Sequence, residues 1–245
     1  MELEIKNKQV QMNMKIYLKD CIINFPEEIS IAAKTPATKS LIKVDNDLAP
    51  LCEQQNEIFH SIIQKLLYVT KRARIDLQVA IGFLCTLVRL PDKNDWKKLK
   101  RTLQYVYGTI DLKRILPISS FTDINIFVDV SHACHNNMRG QTGGCINMGY
   151  GVLHARSSKQ PITSKSSTET ELIGGSDYLS YALWYVYFFK EQGYVIENKT
   201  LLQDNESTIK LLNNGKRSSG KQTRHINISY FWITDRLKQE KINVK

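Results

Sequence analysis

INIFVDVSH, residues 124–132, decides the fold of the C-terminal half. Apolar Ile124, Ile126 and Val128 alternate with Phe127, Asp129 and Ser131. Successive side chains of a strand point to opposite faces, so this pattern predicts a strand with one aliphatic face. The other face carries Asp129 in mid-strand. A carboxylate among Phe, Val and Ile is costly unless it is paired or meets a cation. Asp129 is therefore a candidate for function.

Downstream, TGGCINMGYGVL (142–153) and HARSSKQPIT (154–163) predict two further strands. SKSSTETEL (164–172) then sets hydroxyls ahead of two glutamates and a long apolar-periodic run, which is how a helix begins. Ser166 with Glu169 and Thr168 with Glu171 both have capping-box spacing. This helix is predicted to run to about Gln192 and end at Gly193. TLLQDN (200–205) predicts a strand and ESTIKLLNN (206–214) a helix stopped by Gly215. The loop GKRSSGKQTRH holds Lys216, Arg217, Lys221 and Arg224 and no acid. HINISYFWITDRLKQEK reads mainly as helix, and INVK begins another strand. Three strands, helix, strand, two helices and strand make an α/β order with a mixed sheet.

Upstream, QVQMNMK alternates as a short strand, and IYLKDCIINF is an amphipathic segment stopped by Pro26. Residues 30–52 show no period and read as a loop. Helices are expected over 59–73, 76–89 and 94–108. In the last, Trp96, Leu99, Leu103 and Val106 form the inner stripe, with Lys97, Lys98, Lys100 and Arg101 on other faces. The boundary between the two halves is placed at residues 120/121.

The formal net charge over 245 residues is +10, a balance that suits a polyanionic partner. Five irregularly spaced cysteines without a signal peptide point to a reducing compartment, cytoplasmic or nuclear. No apolar run reaches the roughly 18 residues of a membrane span, so no membrane partner is expected. SHACH (131–135) groups His132, Cys134 and His135, but zinc needs a second ligand pair that Cys145 alone does not supply.

Three acids stand in comparable places. Asp129 is mid-strand, Asp204 closes a strand just before a helix, and Glu171 lies in the first turns of a helix. Asp204 could also serve as an N-cap. If the first and fourth strands are neighbours, Asp129 and Asp204 converge near the start of the Glu171 helix. Three hard oxygen donors in one place suit Mg²⁺. Paired ions about 3.5–4 Å apart would clamp the attacking and leaving oxygens of a phosphodiester displacement. Helical phase puts Glu169 and Glu171 on opposite shoulders of the Leu172, Leu179, Leu183, Val186 stripe and leaves the choice between them open.

FVDVSHA, TGGCINMGYGVLHARSSKQPITSKSSTETEL and QDNESTIKLLNNGKRSSGKQTRHINISYFWITDR together resemble the ribonuclease H domain of copia-type LTR retrotransposon polyproteins. Residues 59–112 resemble the segment before it, the C-terminal end of the reverse transcriptase region. The resemblance implies a ribonuclease H-like mixed sheet over 121–245, preceded by a smaller, mainly helical thumb- or connection-like segment over 1–120. It implies Mg²⁺ held by Asp129, Glu171 and Asp204, with Glu169 left to the helix end. It also implies endonucleolytic cleavage of RNA in RNA/DNA hybrids, with the hybrid and the rest of a polyprotein as partners. The family's paired polymerase aspartates are absent, so no polymerase site is expected. The family continues past the last strand into a helix with a fourth carboxylate, and this chain stops at Lys245. The expectation is a C-terminally incomplete domain whose second metal and turnover are weakened. The alternatives are a non-catalytic nucleic-acid-binding relic, or another two-metal nuclease or transposase of the same fold.

Overall fold

The 124–132 stretch is the centre of a sheet in the computed structural model, which describes residues 1–7, 9–44, 48–117, 120–214 and 227–245, with side chains from 232 onward in the last stretch. The chain divides into two compact units, Met1–Ile115 and Leu116–Lys245.

In the first unit, β1 (Glu2–Lys6) and β2 (Gln9–Asn13) pair antiparallel; β3 (Arg114–Pro117), whose residues fall on both sides of the boundary between the units, follows β2 in the sheet order. Helices α1 (Lys15–Ile23), α2 (Glu53–Thr70), α3 (Gln78–Leu84) and α4 (Lys93–Gly108) supply the core. Phe59, Ile63 and Leu66 of α2 are fully buried, as are Leu99, Leu103 and Val106 of the expected α4 stripe. α2 starts six residues before the expected 59. α3 is shorter than the expected 76–89: it follows a single 3-10 turn at Ile75–Leu77 and stops at Leu84. Just beyond it, the Thr86 hydroxyl donates to the Phe83 carbonyl at 2.7 Å, a local bond that competes with the helical ladder. Arg74 is buried yet satisfied, with Asp76 and the Thr109 carbonyl and hydroxyl as acceptors.

In the second unit, β4 (Asp123–Ser131) and β6 (Gly151–Lys159) each pair antiparallel with β5 (Gln141–Met148) between them. α5 (Ser167–Glu191) then crosses to β7 (Asn198–Leu202), which pairs parallel with β4. α6 (Glu206–Asn214) and α7 (Asn227–Gln239) lead to β8 (Asn243–Val244), parallel to β7. The sheet order is β6-β5-β4-β7-β8. It is a mixed five-stranded sheet with crossover helices.

The expected strands 142–153 and 154–163 need correcting, because the hairpin turns earlier, between Met148 and Gly151. Gly149 sits there at φ +63°, a conformation that costs glycine nothing. MGYG therefore carries the turn that alternation alone placed at 153/154.

The aliphatic face of β4 is the core. Ile124 and Ile126 are fully buried, and they cluster with Leu172, Leu179, Leu183 and Val186 of α5, Leu212 of α6, and Ile233 and Leu237 of α7. The helix approaches closely because Gly174 has no side chain: a Cβ there would lie 2.5 Å from Val130 Cγ2. The opposite face of β4 carries Phe127, which is 39% exposed, and Asp129.

Candidate metal centre

Register brings the first two acids together. The last paired residues of β4 and β7 are Phe127 and Leu202. Asp129 and Asp204 each stand two residues beyond that pair, so both leave parallel neighbouring strands at the same level. The parallel pairing that the convergence argument required is present.

Local hydrogen bonds decide which polar residues are free for other work. Asn205, not Asp204, caps α6, its Oδ1 accepting from the Thr208 amide at 3.0 Å. At the start of α5, Ser166 is the N-cap and its hydroxyl accepts from the Glu169 amide at 3.2 Å. The Glu169 carboxylate reaches back to accept from the Lys165 amide at 2.6 Å. Glu169 thus closes the helix end, where a carboxylate also complements the dipole. Glu171, on the other shoulder, is buried and points toward Asp129 and Asp204. One carboxylate oxygen from each of Asp129, Glu171 and Asp204 lies within 4.8 Å of the others. Among the described residues this is the group of acidic, His or Cys side chains that could share an ion.

The electrostatics follow from that crowding. Burial pushes the Glu171 carboxyl up to about 7, and the negative charges of Asp204 and Asp129 push the same way. A hydrogen bond from Gln203 Nε2 to Glu171 Oε2 at 3.1 Å, and the Val130 amide, oppose the rise. Without added metal, the folded unit therefore holds a proton that the unfolded chain has lost. Its stability from this group is full below about pH 4.5 and is lost as pH rises through about 7. Melting of the metal-free chain at about pH 5 and about pH 8 should show this decline, and Glu171→Gln should flatten it. Identical declines in both proteins would mean that Glu171 is ionised throughout.

The groove above the acids holds about 680 Å³ and is lined by Phe127, Gly143, Cys145 and Leu202 beside Asp129 and Asp204. His132 follows β4 and its Nδ1 lies 2.6 Å from Thr170 Oγ1 and 3.2 Å from Ser164 Oγ, joining the end of β4 to the start of α5. His135 bonds Gln141 at 2.8 Å, so SHACH is a loop-bracing segment. Gln203, buried between Glu171 and the α6 entrance, has no periodicity or motif of its own to reveal it in the sequence. The basic positions Lys216, Arg217, Lys221 and Arg224 lie outside the described residues.

No family model matches the chain. The retrovirus-related Pol polyprotein from transposon TNT 1-94 of Nicotiana tabacum is 23% identical over 251 residues, covering 98% of this chain and 18% of that protein. A putative transposon Ty5-1 protein of Saccharomyces cerevisiae is 26% identical over 121 residues, covering 49% of this chain and 39% of that protein. Transposon Pol polyproteins are among the relatives of this chain. An uncharacterized mitochondrial protein of Arabidopsis thaliana is 31% identical over 139 residues, covering 56% of this chain and 58% of its own length. The chain thus spans less than two thirds of the length of each of these relatives. Among solved structures, a ribonuclease H1 isolated from compost by metagenomics covers 51% of this chain and 83% of its own, at TM-score 0.38 and 15% identity. Among the described residues, no helix of the chain is long and apolar enough to cross a membrane.

Proposed function

We propose that residues 121–245 form the ribonuclease H domain of a transposon Pol protein, cleaving the RNA strand of RNA/DNA hybrids, and that residues 1–120 are the end of its reverse transcriptase region. The observation that carries this reading is the acidic trio, set at the ends of parallel β4 and β7 and the start of α5. The donor set fits a magnesium ion. All three ligands are hard oxygens, and a buried Glu171 held against two like charges is the environment a cation relieves. Asp129, Glu171 and Asp204 would hold it. Bound there, a divalent ion supplies Lewis acidity and lowers the pKa of attacking water.

The chain's own residues account for the rest. Asp129 and Asp204 are exposed to the groove and present their oxygens to whatever enters it. Glu171 sits deeper, fixed by α5 and by Gln203. Recognition of RNA over DNA would rest on the 2′-hydroxyl and the shape of the hybrid. The test is cleavage of a labelled hybrid with and without Mg²⁺, beside an all-DNA duplex. Metal-dependent loss of the RNA strand is expected. Equal cutting of the DNA duplex would instead assign a general two-metal nuclease. Binding without cutting would assign a non-catalytic role.

The segment bearing Lys216, Arg217, Lys221 and Arg224 is proposed to meet the phosphate backbone, because it carries four cations and no acid. Replacing all four with alanine should flatten the plot of log affinity against log salt by up to about 0.7–0.9 per lost contact. An unchanged slope would mean that these four cations do not meet the phosphate backbone.

A further inference from the structure

We infer that Gln203 is the positioning residue of the acidic centre, fixing Glu171 and the backbone of Asp204 through one side chain. The inference rests on the metal-binding reading above and concerns how tightly this chain's ligands are held for the ion.

The argument begins with the amide itself. A glutamine side chain has an accepting oxygen and a donating nitrogen, and the two are distinguished only by their surroundings. Here the surroundings leave one orientation. The backbone amides of Asp204 and Asn205 both donate to Gln203 Oε1, at 2.8 and 3.2 Å. Neither could donate to an NH₂ group, so the oxygen must face them. The nitrogen then faces Glu171, where it donates to Oε2 at 3.1 Å. Flipping the amide would set donor against donor at one end and oxygen against carboxylate at the other.

The side chain is also held in place. Gln203 is buried, and its own backbone amide donates to the Lys245 carbonyl at 2.9 Å, continuing the β7–β8 ladder. It therefore links three things that must keep a fixed separation: the end of β7, the turn that presents Asp204, and the carboxylate of Glu171 on a different element.

Its chemistry suits the task. A lysine or arginine at this place would orient Glu171 equally well but cancel the charge that attracts a cation. A neutral amide orients the carboxylate and leaves its charge intact. Polar groups behind metal-binding carboxylates act in this way, and removing one typically costs about 10–100-fold in metal affinity.

The test measures metal binding rather than cleavage. Mn²⁺ and Mg²⁺ are titrated calorimetrically into the full chain, its Asp129→Asn variant and Gln203→Met, which keeps length but loses both hydrogen-bonding arms. The wild type is expected to bind, Asp129→Asn to lose binding, and Gln203→Met to bind about 10–100-fold more weakly. Melting of each metal-free protein is recorded alongside. A residue that merely braces the α6 entrance would lower that melting temperature and leave the metal affinity unchanged, and this result would overturn the inference. If Gln203→Met does not fold, Gln203→Asn takes its place with the same expectation, being one methylene too short to reach both ends. Absence of saturable binding in the wild type, or full binding by Asp129→Asn, would instead remove the metal site itself and this inference with it.

Discussion

Asp129→Asn should reduce hybrid cleavage by at least about a thousandfold, equivalent to about 4 kcal/mol of transition-state free energy. The substitution keeps the shape of the side chain and removes one of three charges that share a space less than 5 Å across. An ion held by the remaining two acids would bind more weakly and be less well placed, and both losses act on the same step. Glu169→Gln is the matched control. Its carboxylate accepts from the Lys165 amide and closes α5, so the expected loss is confined to stability, about 0.3–1 kcal/mol. Parallel loss of cleavage from Glu169→Gln and Glu171→Gln would show that the two glutamates have been assigned the wrong roles.

Adjacent residues of β4 should differ sharply in their contribution to stability. Ile126 is fully buried in the core beneath α5, whereas Phe127 points to the groove face and is 39% exposed. Ile126→Ala should cost about 2–5 kcal/mol in the unfolding of residues 116–245, since it removes buried methylenes and leaves a cavity. Phe127→Ala, although it deletes more atoms, should cost about 1 kcal/mol or less. Chemical denaturation followed by signals from the second unit measures both. A reversed order would mean that β4 is out of register by one residue, which would also turn Asp129 into the core.

The sequence exposes Asp129 for a simple reason: a lone carboxylate in an aliphatic strand has no bland role. Other parts of the site were ambiguous because two neighbouring residues could each do the same job. Asp204 and Asn205 are both good N-caps, and only the bond from the Thr208 amide to Asn205 shows which is used. Ser166 and Thr168 both precede a glutamate by three residues, and the choice of Ser166 makes Glu169 the closing residue. Helical phase could not separate Glu169 from Glu171, because the difference lies in which shoulder meets the ends of β4 and β7. The hairpin was misplaced because apolar alternation continues through the Gly149 turn. β1 and β3 were missed, β1 being exposed along its whole length and so showing no buried face to betray it. Gln203 was silent, since a polar residue at a strand end is ordinary until its partners are known.

The parallel pairing of β4 with β7 also bears on the order of events in time. Antiparallel β4, β5 and β6 can zip through local turns, but β7 joins only after the long α5 crossover has closed, a step that carries a larger entropic cost. Asp204 therefore reaches Asp129 late on the folding route. An ion that needs all three carboxylates meets no complete site on a chain still collapsing. Magnesium would then leave the refolding rate alone and slow unfolding, acting as a latch on a finished domain rather than a seed for it.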